Sequence, residues 1–152
     1  MSSSFRDLRV WQEAMRLSVD TYRITAGLPK TEIYGLAQQM RRAAVSVPSN
    51  IAEGKGRHTD REFAQFLFHA RGSLLELETQ IIIAQELQYL SIEDAQKLSN
   101  AATRVGRSLS GLINSVRGSA ASRPTTNDRG PRTEGAVSKP TTEDRRPTTN
   151  HV

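Results

Sequence analysis

The sequence predicts an all-α protein, an antiparallel up-down four-helix bundle followed by a disordered C-terminal tail. Four segments within residues 1–118 carry apolar residues at spacings of three and four, which is typical of helices with one buried face. No segment alternates apolar and polar residues over the length of a strand. The connections are short, so successive helices should run antiparallel. We therefore expect a bundle in residues 1–118 and a tail in residues 119–152.

The first helix is predicted between Leu8 and Ala26, and Gly27–Pro29 should end it because proline disfavours helix in the preceding residue. The second should begin at Thr31, bend near Ser46 because of Pro48, and continue until the glycines at 54 and 56. The apolar faces predicted for these two helices consist of Leu8, Trp11, Met15, Val19 and Tyr22, and of Ile33, Leu36, Met40, Ala43, Val47 and Ile51.

The third helix is predicted over about residues 60–89, where Thr59 and Glu62 form a capping-box pattern. Such a helix would be about 45 Å long. The fourth should begin after Ser91. Both carry apolar seams, which comprise Phe63, Leu67, Ala70, Leu74, Leu77, Ile81 and Ala84 in the third helix, and Leu98, Ala102, Val105, Leu109, Leu112 and Val116 in the fourth.

The third helix also carries a second apolar row, Phe68, Leu75 and Ile82, at seven-residue spacing. A helix that is apolar on two faces must be covered on both. We therefore predict that this row is the interface of a homo-oligomer. The alternative is that it packs on other helices of the same bundle.

Residues 119–152 are rich in Pro, Thr and charged residues, and Val137 and Val152 are their only large aliphatic residues. Such a segment buries too little apolar surface to offset its chain entropy, which predicts disorder. The chain has no cysteine, no apolar run long enough to span a membrane and no signal-peptide core, so we expect it to be cytoplasmic.

The sequence shows no recognisable motif for catalysis or metal binding. The Glu-x-x-His pattern of di-iron bundles fails at His69, because residue 66 is Phe. No nucleophile elbow occurs, and no carboxylate pair is marked as an acid and a base. We therefore expect no catalytic residue, no metal site and no cofactor, and a protein that is not an enzyme.

The net charge of +5 arises from a mild excess of Lys and Arg in both parts of the chain. Basic residues on the helix surfaces are candidates for binding the phosphate backbone of RNA or DNA. Gly54–Arg57 is a candidate for holding a phosphate loosely through exposed amides and two cations, and the alternative is a turn that needs no ligand. Acidic residues interleave with these cations, so ordinary solvated faces on a protein–protein scaffold remain the alternative. The predicted nucleic-acid-binding residues are Arg41, Lys55, Arg57, Arg61 and Arg104.

The runs FRDLRVWQEAMRL (5–17), MRRAAVSVPSNIAEGKGR (40–57) and EFAQFLFHARGSLLELETQIIIAQELQYL (62–90) resemble the four-helix-bundle proteins encoded in intervening sequences of bacterial 23S rRNA genes. The resemblance covers about residues 5–117 and implies a ring-like pentamer. A relative in this family, the accessory variability protein of diversity-generating retroelements, works with a reverse transcriptase. A reverse transcriptase and RNA or DNA are therefore implied partners, and no catalytic residue is implied.

Carried onto this chain, the resemblance assigns roles to several motif residues. Ser46 and Asn50 would bond the backbone that Pro48 leaves free. Gly72 would allow a close approach between helices. Arg42 or Arg71 would pair with Glu53 or Glu76 inside the assembly.

Overall fold

The computed structural model describes residues 3–122 and confirms the predicted all-α bundle. Its helices are α1 (Arg9–Thr25), α2 (Leu36–Lys55), α3 (Asp60–Glu86) and α4 (Ile92–Ser122), with short 3₁₀ turns at Phe5–Asp7 and Lys30–Glu32. Residues 119–122 continue α4 past the predicted domain boundary. The remainder of the predicted disordered tail lies outside the described residues.

Each helix packs against two neighbours, in the cyclic order α1, α2, α3, α4. The polar contacts between α1 and α2 show that these helices run antiparallel. Ser18 of α1 donates a hydrogen bond to the carbonyl of Ala44, whereas the later residue Thr25 meets the earlier residue Arg41. The predicted up-down order follows from this pairing and from the short connections between the other helices.

The core seams predicted for α3 and α4 are confirmed with one exchange. All seven seam residues of α3 are buried. In α4, Ile113 is buried where the sequence predicted Leu112, which is only partly buried. Positions three and four residues beyond Leu109 both lie near the core face of a helix, so spacing alone does not choose between them.

The core face predicted for α1 is wrong for three of its five residues, since Met15, Val19 and Tyr22 are exposed, while Leu8 and Trp11 pack partly against the core. Apart from Val10 and Leu17, the buried positions are small or hydroxyl-bearing residues. Burial of a hydroxyl is tolerated when it is bonded, and the Oγ1 of Thr21 donates to the Leu17 carbonyl at 2.7 Å. The small side chains also let α1 approach its neighbours closely. The buried residues of α1 are Val10, Ala14, Leu17, Ser18, Thr21 and Thr25.

Helix α2 begins at Leu36, not at Thr31, because residues 30–32 form a 3₁₀ turn. The side chain of Glu32 accepts a hydrogen bond from the Leu36 amide at 2.9 Å and so caps the helix from outside it. As predicted, α2 continues through Pro48. The roles expected for Ser46 and Asn50 are wrong. The Asn50 amide bonds the carbonyl and hydroxyl of Ser46, the Ser46 hydroxyl also meets Ser73, and neither side chain bonds the carbonyl that Pro48 leaves free.

The close approach expected at Gly72 is wrong, because no neighbouring atom lies within 4 Å of where its Cβ would be. Gly54 has this role instead. A Cβ there would lie 2.6 Å from the Cβ of Phe66 and 2.9 Å from a ring carbon of Phe63. The missing side chain of Gly54 therefore lets the end of α2 pack closely against the start of α3.

Helix α3 begins as predicted, with the Thr59 hydroxyl accepting a hydrogen bond from the Glu62 amide at 3.2 Å. It ends at Glu86, three residues before the predicted position. Gln88 adopts a left-handed backbone conformation with φ 59°, and the Tyr89 amide bonds back to the Ala84 carbonyl. This geometry is that of a Schellman C-cap, in which glycine is the usual left-handed residue.

Candidate assembly surfaces and nucleic-acid interface

The second apolar row of α3 lies on the outside of the folded chain. Phe68, Leu75 and Ile82 are 36%, 56% and 58% exposed, so the alternative that the row packs within its own bundle is wrong. The guanidinium carbons of Arg71 and Arg117 lie 5.1 Å and 5.8 Å from the centre of the Phe68 ring. Because Arg117 belongs to α4, these contacts place the row on the α3/α4 edge of the bundle. We call the row Phe68, Leu75 and Ile82 the ridge.

A second apolar surface, which the sequence did not identify as one, lies between α1 and α2. Met15, Val19 and Tyr22 are 37%, 42% and 47% exposed. Together with Trp11 and Val45 they line an open groove of about 560 Å³. We call this depression the groove. The signal was present as the apolar stripe of α1, but that stripe was interpreted as core.

The ridge and the groove lie on opposite edges of the molecule. The groove is formed by α1 and α2, whereas the ridge lies where α3 meets α4. In the cyclic order of the helices these two edges face away from each other. A single chain therefore leaves two separate apolar surfaces in contact with water, which is unusual for a monomeric protein.

Three members of the predicted nucleic-acid-binding set, Lys55, Arg57 and Arg61, lie at the same end of the bundle, although Arg61 lines a cleft on the α4 side. They lie at the turn between α2 and α3. Arg57 bonds the Glu53 carboxylate at 2.7 Å, and its guanidinium lies 4.6 Å from the Phe66 ring centre. The Lys55 ammonium lies 5.8 Å from the Phe63 ring centre, while Arg61 is exposed.

Arg41 lies at the opposite end of α2, about 21 Å from Lys55 at 1.5 Å per residue. Its side chain joins α1 to α2, since it donates to the Thr25 hydroxyl at 2.9 Å and lies 4.7 Å from the Tyr22 ring centre. A structural contact of this kind leaves less of the guanidinium available to a phosphate. Arg41 therefore does not belong to the same patch as Lys55.

Arg104 lies on a third surface, between α1 and α4. Glu13 and Asp20 line the same small cleft, so two carboxylates lie close to this guanidinium. Nearby, Lys97 pairs with Asp20 at 3.7 Å. The predicted nucleic-acid-binding set is thus divided among three surfaces. Arg16 also lines the cleft around Arg104, so its charges are mixed and it is not a basic patch.

The turn Gly54–Arg57 is not a phosphate loop. The amide of Gly56 bonds the carbonyls of Ala52 and Glu53, and the amide of Arg57 bonds the carbonyl of Gly54. These donors are therefore engaged in closing the C-terminus of α2. The negative end of the α2 dipole also lies here, so the backbone of this turn does not attract an anion and only its side-chain cations could.

A polar cluster joins α2 to α3 and includes Arg42 and Glu76, one of the pairings expected from the sequence. The hydroxyls of Ser46 and Ser73 are 2.8 Å apart. Arg42 and Glu76 line the same cleft of about 410 Å³. Within one chain, Glu53 pairs with Arg57 and not with Arg42 or Arg71. Arg71 instead lies against the Phe68 ring.

Two further findings concern the described residues only. Within residues 3–122, no group of three or more His, Asp or Glu side chains is arranged to hold a metal ion. None of the helices in this range combines the length and apolar character that crossing a membrane requires.

Comparison with known sequences matches residues 6–111 to the family described as 23S rRNA-intervening sequence protein. The chain belongs to this family. The matched region contains the ridge, the groove and the basic turn between α2 and α3. The resemblance seen in the sequence is therefore confirmed for the family, whereas the link to retroelement accessory proteins stays a prediction.

A solved structure supports the fold. The crystal structure of a protein of unknown function from the S23 ribosomal protein family of Bacteroides thetaiotaomicron, at 1.70 Å resolution, matches this chain with a TM-score of 0.63 and 19% sequence identity. The match covers 68% of this chain and 97% of that protein. No curated protein matches the chain. At this identity the likeness concerns the bundle fold alone.

Proposed function

We propose that this protein is a non-enzymatic helical scaffold that functions as a homo-oligomer. The observation that carries the proposal is the ridge, a row of large apolar side chains on the outside of a bundle whose core is complete without them. Full burial of an exposed Leu or Ile contributes roughly 1.5–3 kcal/mol. Association of two copies through this surface is therefore energetically favourable.

The stoichiometry that we propose is a pentamer. This stoichiometry rests on the resemblance to the bundles encoded in 23S rRNA intervening sequences, which implies a ring-like pentamer. The two separate apolar surfaces support a ring, because a ring of identical copies uses two different surfaces of each copy.

The test replaces Leu75 and Ile82 with Glu and measures the particle mass by sedimentation velocity. The wild-type chain should sediment as an oligomer and the variant as a smaller particle, because each contact would bury two carboxylates. Helical circular dichroism should persist, since both side chains are more than half exposed.

A matched control replaces the exposed residues Gln96 and Thr103 of α4 with Glu, at the same spacing and with the same change in charge. This control should keep the wild-type mass. A monomeric wild-type protein, or an unfolded Leu75/Ile82 variant, would contradict the proposal.

A second role, binding to the backbone of RNA or DNA, is favoured by one observation. Lys55, Arg57 and Arg61 lie at the same end of the bundle, where Arg57 also pairs with Glu53, and a symmetric oligomer repeats these cations once per copy. The resemblance to retroelement accessory proteins makes a nucleic acid handled by a reverse transcriptase the expected setting. Phosphate contacts of this kind bind without reading sequence.

A further inference from the structure

The ridge and the groove have complementary shapes. The side chains of the ridge project from α3, whereas the groove is a depression between two helices. The ridge extends about 21 Å from Phe68 to Ile82, and the α1 side of the groove about 17 Å from Trp11 to Tyr22, at 1.5 Å per helical residue. A contact between two ridges would leave the groove of every copy open to water, whereas a contact between ridge and groove covers both surfaces.

Contacts inside the bundle show which parts of the two surfaces lie at the same height. Ser18 meets Ala44, and Ser46 meets Ser73, with α2 and α3 antiparallel. Val19 in the groove and Leu75 in the ridge therefore lie at about the same level along the bundle. By the same pairing, Arg23 lies level with about residues 79–80 of α3, one or two residues from Glu78.

The charges along the two surfaces select one direction. The Phe68 end of the ridge carries Arg71 and Arg117, and its other end carries Glu78 and Glu86. The Tyr22 end of the groove carries Arg23. When both bundles point the same way, Arg23 of one copy faces Glu78 of the next. When they point in opposite directions, it approaches the arginine end of the ridge, which is repulsive.

We propose that the ridge of one copy docks lengthwise into the groove of the next copy, with both bundles parallel, Val19 opposite Leu75 and Arg23 opposite Glu78. This inference rests on the proposed homo-oligomer and names the two surfaces that meet. Such a head-to-tail contact uses different surfaces of each copy. Parallel copies at equal height have no rise along a common axis, and the contact closes into a ring when the rotation between neighbours divides a full turn evenly.

The test uses disulfides, since the chain has no cysteine of its own. The full chain is prepared with Val19→Cys, with Leu75→Cys and with both substitutions, then oxidised and separated without reductant. The double variant should form a ladder of covalent oligomers. A mixture of the two single variants should form covalent dimers, because a disulfide requires Cα atoms within about 7 Å of each other. Either single variant alone should stay a monomer on the gel.

The results separate this inference from the proposed function. If the wild-type chain sediments as a monomer, the oligomer itself is refuted, and the inference with it. If the chain is an oligomer but Leu75→Cys alone gives covalent dimers, the ridges meet each other and only the inference is overturned. An oligomer in which the double variant gives no covalent ladder overturns it as well.

A charge exchange provides a second test that does not depend on cysteine. Arg23→Glu and Glu78→Arg should each raise the concentration at which the oligomer dissociates by about tenfold, and the double variant should recover most of that loss. Both residues lie outside the buried core, so the helices should form in all three variants. Losses that simply add in the double variant would show that Arg23 and Glu78 do not face each other.

Discussion

At the scale of single residues, Pro48 shows how a local defect is repaired from another helix. Proline has no amide proton, so the carbonyl of Ala44, four residues earlier, lacks its helical partner. The hydroxyl of Ser18 on α1 donates to that carbonyl at 2.8 Å and also lies 2.9 Å from the Ala14 carbonyl. Both residues of this contact are buried, so without Ser18 the carbonyl would lose this partner inside the protein.

Replacing Ser18 with Ala should lower the free energy of unfolding by about 1–3 kcal/mol, the usual cost of an unsatisfied buried polar group. The same substitution in a Pro48→Ala background should cost clearly less, because an alanine amide can bond the Ala44 carbonyl. Denaturant unfolding of the four proteins at one fixed concentration measures this coupling. Equal costs in both backgrounds would show that Ser18 does not serve the carbonyl that Pro48 leaves free.

At the scale of elements, the helix ends depend on backbone geometry as much as on capping residues. Thr59 and Ser91 cap α3 and α4 through their hydroxyls, as their sequence positions suggest. The C-terminus of α3 ends instead on Gln88 with φ 59°. A side chain in this conformation costs roughly 1–2 kcal/mol relative to the ordinary helical region. Nothing in the local sequence identifies glutamine as such a residue.

Replacing Gln88 with Gly should therefore raise the free energy of unfolding by about 1 kcal/mol, since glycine adopts a positive φ without steric cost. Gln85→Gly is the matched control, because Gln85 lies in the last turn of α3 with ordinary helical geometry. This control should lose about 0.5–1 kcal/mol. Thermal or denaturant unfolding at equal protein concentration compares the two. A loss of stability in both variants would contradict the Schellman cap.

At the scale of the whole molecule, assembly changes what a weak basic patch can do. Within one chain, residues 1–118 carry 15 Lys and Arg against 12 Asp and Glu, so no strong field arises. A parallel ring places the Lys55 end of every copy on the same side. The cations at that end then form a repeated array, which a polyanion can contact at several points.

Reversing Lys55, Arg57 and Arg61 to Glu should weaken binding to mixed-sequence RNA or DNA and flatten its dependence on salt by about one unit of slope per lost phosphate contact. A control that reverses Lys30, Lys97 and Arg107 makes the same change in net charge at scattered positions. Fluorescence anisotropy at several salt concentrations, on preparations of verified mass and helicity, measures both effects. Equal losses of affinity in the two variants would show that net charge alone drives binding. Unchanged affinity in the Lys55/Arg57/Arg61 variant would contradict nucleic-acid binding by these residues.

The sequence alone determined the number of helices, the antiparallel order, the seams of α3 and α4 and the ridge, because long periodic segments with short connections admit few arrangements. It did not determine the buried face of α1. Two stripes compete there, and side-chain size favours the stripe that contains Trp11 and Tyr22. Close packing chose the other stripe, in which Ala14 and Thr21 let the helices approach and the hydroxyls are bonded internally.

Only the tertiary structure decided where the functional residues meet. Arg41, Lys55 and Arg104 share a charge, yet they lie on three different surfaces, because Arg41 and Lys55 are at opposite ends of α2 and Arg104 is on α4 beside α1. The groove likewise became apparent only in the folded chain, because it is lined by the apolar stripe of α1 that the core does not bury. Periodicity indicates that a helix has an apolar face, but whether that face meets the core, water or another copy depends on which neighbours the packed bundle provides.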